Sequence, residues 1–390
     1  MFILKRFKIF KNEACPCGSG QTYGKCCNDK NDANFDTDHT QKLLLDISKM
    51  FDSYKYETCL HPNSDECKPP IKSAHSIQNH GVLSQISYKN HVMGFRTDKT
   101  NPFKIMSQDP STIALRRELD KIGVNDATTH TCFCNYHDSK VFAPIESSPK
   151  GFDPTDNEQL FLFAYKAFAF EFYKSRVAFI AMQNLFKNLP AKLKKHPFLF
   201  VPEYREAQLK ELEMSYYKQR FDNMLINNEY SDIYTEVIEI PFKIEFATID
   251  CISPRFDITG GKVKQFTKGF MKRMFMTIFP FGDKSYILLS YLKEDSANFN
   301  KYVTAIKGTE LQRIYEYFST FLPLYSESIV LNPKLLQKWG KEATSAFTSL
   351  SNLIGKDLIQ LENQFALNLF KSYHRNSNLE PTKCNLFIEL

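Results

Sequence analysis

Eight of the ten cysteines lie before residue 135, most of them in short clusters with histidines nearby. This distribution constrains the fold more than any other feature of the chain, because clustered thiols are held together by a metal ion or by disulfides. Ten cysteines in 390 residues are too few for a disulfide scaffold. The apolar start of the chain is interrupted by basic residues, unlike a signal peptide. We therefore expect metal ligands in a reducing compartment and a cytoplasmic protein.

The first cluster occupies residues 15–27, with the sequence CPCGSGQTYGKCC. Cys15, Cys17, Cys26 and Cys27 supply four thiolates within thirteen residues, and three glycines allow so short a loop to fold back on itself. Four sulfur ligands suit a tetrahedral zinc ion. Because a knuckle of this size has almost no core of its own, metal binding would supply most of its folding free energy.

This stretch resembles the SEC-C motif, a short zinc finger attached to many otherwise unrelated bacterial proteins. The positions that carry the resemblance are Cys15, Pro16, Cys17, Gly18, Ser19, Gly20, Tyr23, Gly24, Lys25, Cys26 and Cys27. The resemblance covers only the knuckle. It implies one bound zinc ion and a role in protein or ribosome contact more than in chemistry.

A second set of candidate ligands is spread over a much longer stretch. Cys59 and Cys67 flank a loop rich in turn-forming residues, and Cys134 and His137 lie close together further along the chain. These four residues predict a Cys3His zinc site. Cys132 competes with Cys134 as the third sulfur ligand. The alternative to a metal site is a set of free thiols buried as small apolar side chains.

The second set resembles an HNH-like treble-clef module of bacterial proteins, in which two pairs of zinc ligands bracket a catalytic histidine. The four ligands match the zinc pairs. The resemblance implies that His75 is the general base and that Asp138 holds a catalytic Mg²⁺ or Mn²⁺ ion. The middle asparagine of the motif could be Asn79, Asn90 or Asn125. The alternative role for His75 is a structural, hydrogen-bonded histidine.

Two stretches with helical periodicity follow. Residues 158–189 carry a broad apolar stripe, and residues 203–228 are highly charged with apolar residues on one side. Together they predict a long antiparallel helical hairpin, which could form a homo-oligomer or partner surface. Shorter helices are predicted near residues 41–54 and 113–122, and residues 91–96 predict a strand.

Residues 233–294 change to a two-residue period and to β-forming side chains, which predicts antiparallel strands with a hairpin turn at residues 281–284. Helices resume at residues 310–321 and 333–373. Strands gathered in one segment, instead of alternating with helices, indicate the α+β class. The predicted domains are a zinc knuckle (1–30), a treble-clef-like module (41–150), the helical hairpin (151–232) and an antiparallel sheet with C-terminal helices (233–390).

Composition permits several functions without selecting one. A net charge of +6 and a sequence pI of about 8.6 are compatible with contact to nucleic acid but do not require it. The most apolar stretch, residues 160–180, contains four charges and does not predict a membrane span. We expect a zinc-binding adaptor for protein or nucleic acid; the alternative is an atypical HNH-like metal-dependent nuclease, and the sequence leaves open whether the protein is an enzyme.

Overall fold

The computed structural model describes most of the chain. The described residues are 8–28, 56–68, 70–97, 117–189, 191–195, 200–353, 355–375 and 384–388. The helix predicted near residues 41–54 lies outside them. No helix within the described ranges combines the length and the apolar character needed to cross a membrane.

Helices and strands are gathered in different parts of the chain, so the α+β prediction is confirmed. The strands are β1 (Ile71–His75), β2 (His91–Thr97), β3 (Arg117–Gly123), β4 (Thr129–Cys134), β5 (Ile233–Ile240), β6 (Phe246–Ile252), β7 (Phe266–Thr267), β8 (Phe270–Met271), β9 (Met274–Phe281), β10 (Lys284–Leu292) and β11 (Val330–Leu331). The α-helices of five or more residues are α1 (Asn135–Glu146), α2 (Asn157–Asn188), α3 (Ala191–Lys195), α4 (Val201–Asn227), α5 (Ser296–Lys307), α6 (Leu311–Tyr325), α7 (Pro333–Ser351) and α8 (Gly355–Arg375).

Seven strands form one antiparallel sheet in the order β3-β2-β11-β6-β9-β10-β5. The predicted hairpin joins β9 to β10, with Phe281 paired to Lys284 across a two-residue turn. Gly282 in that turn has a φ of +62°, in the left-handed region that favours glycine. Strand β11 is only two residues long, yet it connects β2 to β6. The sheet therefore combines the predicted strands with two strands from much earlier in the chain.

One helix prediction is wrong. Residues 117–122, the described part of the stretch near 113–122, lie in strand β3, which pairs with β2 along its whole length. The apolar residues that suggested a helical period are few, and pairing with a neighbouring strand decided the conformation. The strand predicted at residues 91–96 is present as β2.

The described residues divide into two compact units. One contains the described residues before Thr58 together with Glu171–Arg220, and the other contains the seven-stranded sheet. The boundaries fall inside α2 and α4, so each long helix contributes to both units. The four-domain division predicted from the sequence stays a prediction.

In the sheet-containing unit, the core lies between the sheet and the C-terminal helices. Residues of β6, β9 and β10 pack with α5 and α6, and large side chains such as Phe299, Tyr302 and Phe321 are almost completely buried. This burial is the main source of stability for these elements. Helix α7 changes direction at Gly340, whose φ is +77°.

In the other unit, α2 and α4 run antiparallel, as the ring pairs Phe179–Tyr204 and Phe186–Phe200 show. A buried ion-pair cluster joins the two helices: the carboxylate of Glu171 is 2.8 Å from Lys174 Nζ and 2.6 Å from Lys210 Nζ. Burial alone would raise the pKa of Glu171, but the two ammonium groups outweigh it and hold the pKa well below its usual range. The predicted helical pair is therefore built around a charged residue as well as an apolar stripe.

Two candidate metal centres

The first centre gathers the sulfur atoms of Cys15, Cys17, Cys26 and Cys27. All four lie within 4.8 Å of one another. Cys17 Sγ is 3.3 Å from Cys15 Sγ and 3.6 Å from Cys26 Sγ, and the Sγ atoms of Cys26 and Cys27 are 3.9 Å apart. Two sulfur ligands at about 2.3 Å from a tetrahedral zinc ion lie about 3.8 Å apart, so the four thiols fit one such ion.

Short-range backbone hydrogen bonds fold the knuckle. The amide of Cys15 donates to the carbonyl of Gln21 at 2.8 Å, and that of Tyr23 donates to the carbonyl of Glu13 at 2.8 Å. Gly18 has a φ of +73°, in the left-handed region that favours glycine. A Cβ at Gly24 would lie 2.9 Å from a backbone oxygen, which leaves no room for a side chain. The conformation of this loop therefore explains why glycine is present at both positions.

One side of the knuckle packs into the core of its unit. Tyr23, Cys15 and Cys27 are each 3% exposed and contact a cluster that includes Phe186 and Val201. The knuckle therefore belongs to the core formed by α2 and α4, and is not an isolated appendage.

Two polar contacts fix the knuckle further. The Tyr23 hydroxyl donates a hydrogen bond to the Lys194 carbonyl. The Glu13 carboxylate forms an ion pair with Arg205 of α4. Both contacts join the loop to the helical part of the same unit.

The four thiols differ in their tendency to ionise. Burial raises the pKa of Cys15 to about 11 and also raises that of Cys27. Burial acts in the same direction at Cys17, but hydrogen bonds from Ser19 and Cys15 outweigh it and lower its pKa to about 7. Because metal ligands must be thiolates, a divalent cation would provide the charge that keeps the other sulfurs deprotonated.

The second centre brings together Cys59, Cys67, Cys134 and His137, again within 4.8 Å of one another. His137 Nδ1 is 3.4 Å from Cys59 Sγ, 3.5 Å from Cys67 Sγ and 3.3 Å from Cys134 Sγ. In a tetrahedral zinc site, a nitrogen at about 2.05 Å and a sulfur at about 2.3 Å from the ion lie about 3.6 Å apart. The residues present thus fit zinc, although ligation itself stays a prediction.

Strand pairing assembles this centre from distant parts of the chain. Ile71 of β1 pairs with Cys134 at the end of β4, which brings the loop before β1 close to the start of α1. The amide of Leu60 donates to the carbonyl of Cys132 at 2.9 Å and so fixes the segment that carries Cys59. Cys134 caps helix α1: its sulfur accepts the amide of His137 at 3.5 Å.

The surroundings of His137 favour a neutral, fixed imidazole. The side chain is fully buried, and burial lowers its pKa. The ring of His61 stacks on it with centroids 3.8 Å apart and an interplanar angle of 11°. On its other side, His137 Nε2 is 3.9 Å from a carboxylate oxygen of Glu66. This distance is too long for a hydrogen bond, and Nε2 has no hydrogen-bond partner among the described residues, so burial and ring stacking are what hold the imidazole in place.

The structure separates Cys134 from its competitor. Cys134 is in the cluster, whereas Cys132 is buried outside it, and burial raises the pKa of the Cys132 thiol well above its usual range. At Cys134 burial acts to raise the pKa, but hydrogen bonds from the backbone of His137 and Lys68 outweigh it and lower the pKa.

His75 and Asp138 lie outside both clusters of potential metal ligands found among the described residues. His75 ends β1, and its Nδ1 is 3.0 Å from the carbonyl oxygen of Ala127. Asp138 lies in the first turn of α1 with one carboxylate oxygen buried and without a hydrogen-bond partner. Burial raises the pKa of Asp138 to about 6, although the ammonium of Lys166 opposes the shift.

Sequence reasoning missed the groups that surround the second centre. His61 and Glu66 lie between the first two ligands, and only their position in that loop could have indicated a role. Lys166 is 2% exposed, forms an ion pair with Glu146, and has its Nζ 4.7 Å from the centroid of the Phe142 ring. A lysine inside an apolar helical stripe gives no signal in the sequence that it is buried.

Comparison with known proteins assigns a motif to the first centre only. The family model described as "SEC-C motif" matches residues 12–29, so this part of the chain carries a SEC-C motif. The sequence resemblance stated for the knuckle is thereby confirmed. Searches of curated proteins and of solved structures returned no match.

Proposed function

We propose that this protein is a non-enzymatic adaptor that carries two structural zinc ions and binds a macromolecular partner through its zinc modules. The observation behind the proposal is that each centre offers four protein ligands at tetrahedral spacing. A zinc ion with four protein ligands has no open position for water or substrate, which is typical of structural sites.

The knuckle has an outer surface available for a partner. Its inner side is buried in the unit core, whereas Gly18–Gln21, Lys11 and Lys25 are exposed. A rigid loop with exposed backbone and basic side chains suits contact with a protein or with nucleic acid. The SEC-C resemblance favours protein or ribosome contact.

Metal analysis tests the zinc part of the proposal. The full-length protein should contain two zinc ions per chain, and Cys26→Ser and Cys59→Ser should each contain one. Deleting the knuckle would be a poorer test, because it would also remove part of a helical core. Cys251→Ser is the matched control: Cys251 is outside both clusters, and its substitution should leave two ions.

The closed coordination can be tested by cobalt substitution. If both sites have four protein ligands, the absorption of the Co²⁺ protein should show tetrahedral, sulfur-ligated ions and should not change with ionisation of a bound water. A spectral transition near neutral pH that persists in Cys26→Ser would indicate a metal-bound water at the second centre. That result would contradict the adaptor proposal and favour an enzyme.

One observation favours the nuclease as a second candidate. A ligand-bearing loop, strand β1 ending at His75, strand β4, and a helix with two ligands at its start occur in the order of a treble clef, with β2 and β3 inserted between β1 and β4. The contact between His75 Nδ1 and the Ala127 carbonyl orients the imidazole, as a general base requires. DNA and RNA cleavage should then require Mg²⁺ or Mn²⁺ and disappear in His75→Ala. His91→Ala is the control, because His91 Nδ1 also contacts a backbone carbonyl, at 2.6 Å.

A further inference from the structure

Strands β7 and β8 form a small ribbon in the sheet-containing unit, separate from both metal centres. Phe266 pairs with Met271, and Thr267 with Phe270. The amide of Lys272 donates to the carbonyl of Gln265 at 2.7 Å and extends the ladder by one step. The ribbon is therefore a hairpin with a two-residue turn.

The ribbon and the residues that flank it are basic. Residues 258–282 contain five basic side chains and no acidic one. Lys262, Lys264 and Lys268 are exposed, and none of them forms an ion pair with another described residue. Uncompensated lysines this close together create a positive potential that attracts phosphate groups.

Exposed aromatic rings alternate with these lysines. Phe266 is 49% exposed and Phe270 is 43% exposed. Lys262, Lys264 and Phe266 are exposed and alternate with partly buried residues, which indicates that their side chains lie on one side of this segment. The register places Phe270 on the opposite face of the ribbon from Phe266.

The base of the ribbon is fixed to its unit. Asn298 of α5 accepts the Thr267 hydroxyl at 3.0 Å and donates to the Lys264 carbonyl at 2.5 Å. Lys272 forms a buried ion pair with Asp295, 2.7 Å long. The exposed side chains thus stand on a positioned backbone, which lowers the entropy lost when a partner binds.

We propose that the ribbon and the residues that lead into it, Lys262–Met271, bind single-stranded nucleic acid, with the lysines on phosphates and Phe266 stacked on a base. Lysines on an exposed hairpin edge could serve only to prevent edge-to-edge association, but that role does not explain two half-exposed phenylalanines beside them. Positive charge that alternates with aromatic rings is the usual surface for a single strand.

An anionic membrane is the competing partner for a surface of lysines and aromatic rings. Interfacial insertion needs one continuous apolar face. Here the two phenylalanines lie on opposite faces, and each is flanked by lysine along the strand. The geometry thus favours a flexible polyanion that can pass over one face at a time.

The turn provides a variant that separates binding from folding. Lys268 has a φ of +52°, and Gly269 has a φ of +84°. Asparagine adopts this conformation more readily than lysine, so Lys268→Asn should leave the hairpin at least as stable while it removes one charge. Loss of affinity in this variant cannot then be attributed to misfolding.

Fluorescence anisotropy with a labelled oligothymidylate of about twenty nucleotides tests the proposal on the full-length protein. Phe266→Ala should weaken binding about tenfold, because one stacked base is lost. Lys262→Gln with Lys264→Gln should reduce the slope of log affinity against log salt by about 1.4, since each phosphate contact to a single strand contributes about 0.7. Lys268→Asn should reduce it by about 0.7.

Matched variants outside the ribbon control for charge and aromatic content. Lys341→Gln with Lys356→Gln removes two exposed charges of α7 and α8, and Phe281→Ala removes a 39% exposed ring at the β9–β10 turn. Neither should change the affinity for the oligonucleotide by more than about twofold. Equal losses in ribbon and control variants, or no binding by the wild-type protein at about 50 mM salt, would overturn the proposal. Binding to phosphatidylserine vesicles that depends on the ribbon, without oligonucleotide binding, would assign the surface to membranes instead.

Discussion

The two candidate metal centres present similar ligands but are built in opposite ways. In the knuckle, Cys15 and Cys27 are only twelve positions apart, and hydrogen bonds between neighbouring residues shape the loop. In the second centre, Cys59 and His137 are 78 positions apart, and pairing of β1 with β4 brings them together. One centre is therefore specified locally, whereas the other depends on the fold around it.

This difference changes what a metal ion does for stability. Closing the longer loop costs about 1.6 kcal/mol more chain entropy than closing the shorter one. An unfolded chain can still gather the four thiols of the knuckle, and metal binding to the unfolded state reduces the stabilisation of the folded state. We therefore expect zinc at the second centre to contribute more to folding stability, even though the knuckle matches a known zinc motif.

The largest effect is expected on the free energy of unfolding when one partly exposed ligand of each centre is replaced. At a fixed free zinc concentration about a thousandfold above the dissociation constant, Cys59→Ser should lower the free energy of unfolding by about 4 kcal/mol. The single tryptophan, Trp339, lies on α7 in the sheet-containing unit, so its fluorescence in a urea titration reports on that unit. Cys26→Ser should lower the free energy of unfolding of its own unit by about 1.6 kcal/mol less than Cys59→Ser lowers that of the sheet-containing unit. Equal losses would mean that sequence separation does not matter here.

Zinc retention by the unfolded chain would test the same contrast directly. In concentrated urea with a reductant, the wild-type protein should keep about one zinc ion per chain, since only the knuckle ligands are local. Cys26→Ser should lose that ion, whereas Cys59→Ser should keep it. Metal analysis after gel filtration in urea measures both. Loss of both ions from the wild-type chain at the same urea concentration would contradict the distinction between a locally formed centre and one that depends on the fold.

A smaller loss of stability is expected when one contact between the knuckle and its unit is removed. Tyr23→Phe removes a buried hydroxyl that donates to the Lys194 carbonyl, and should cost about 1 kcal/mol in the helical unit. Hydrogen exchange of amides in α2 and α4 measures the change. Tyr216→Phe, at a residue that is 40% exposed, should change exchange by less than about 0.5 kcal/mol. If both variants behave alike, the knuckle does not depend on this contact.

The last comparison concerns the ligand assignment at the second centre. Cys132→Ala should leave two zinc ions per chain and cost about 1 kcal/mol, as expected for a small buried side chain. Cys134→Ala should lose one ion. Loss of an ion in Cys132→Ala, with Cys134→Ala unaffected, would exchange the roles of the two cysteines.

Sequence reasoning succeeded where the information is local. The SEC-C knuckle, the two long helices and the β9–β10 turn are each specified within a short stretch of residues. It failed at β3, because the pairing of Arg117–Gly123 with β2 outweighs local propensity. The buried Lys166 and the stacked His61 were missed for a related reason: their partners come from other elements, and no residue pattern shows such contacts.

The register of β1 against β4 also bears on how this chain can vary in length. His75 at the end of β1 faces Thr129 at the start of β4, so the segment that supplies β2 and β3 to the large sheet begins and ends at neighbouring positions. Each doubling of such an excursion adds only about 0.6 kcal/mol of closure entropy. Homologous chains should therefore tolerate insertions in the connections of this segment, while strands β2 and β3 and the spacing from Cys134 to His137 and from Cys59 to Cys67 are retained.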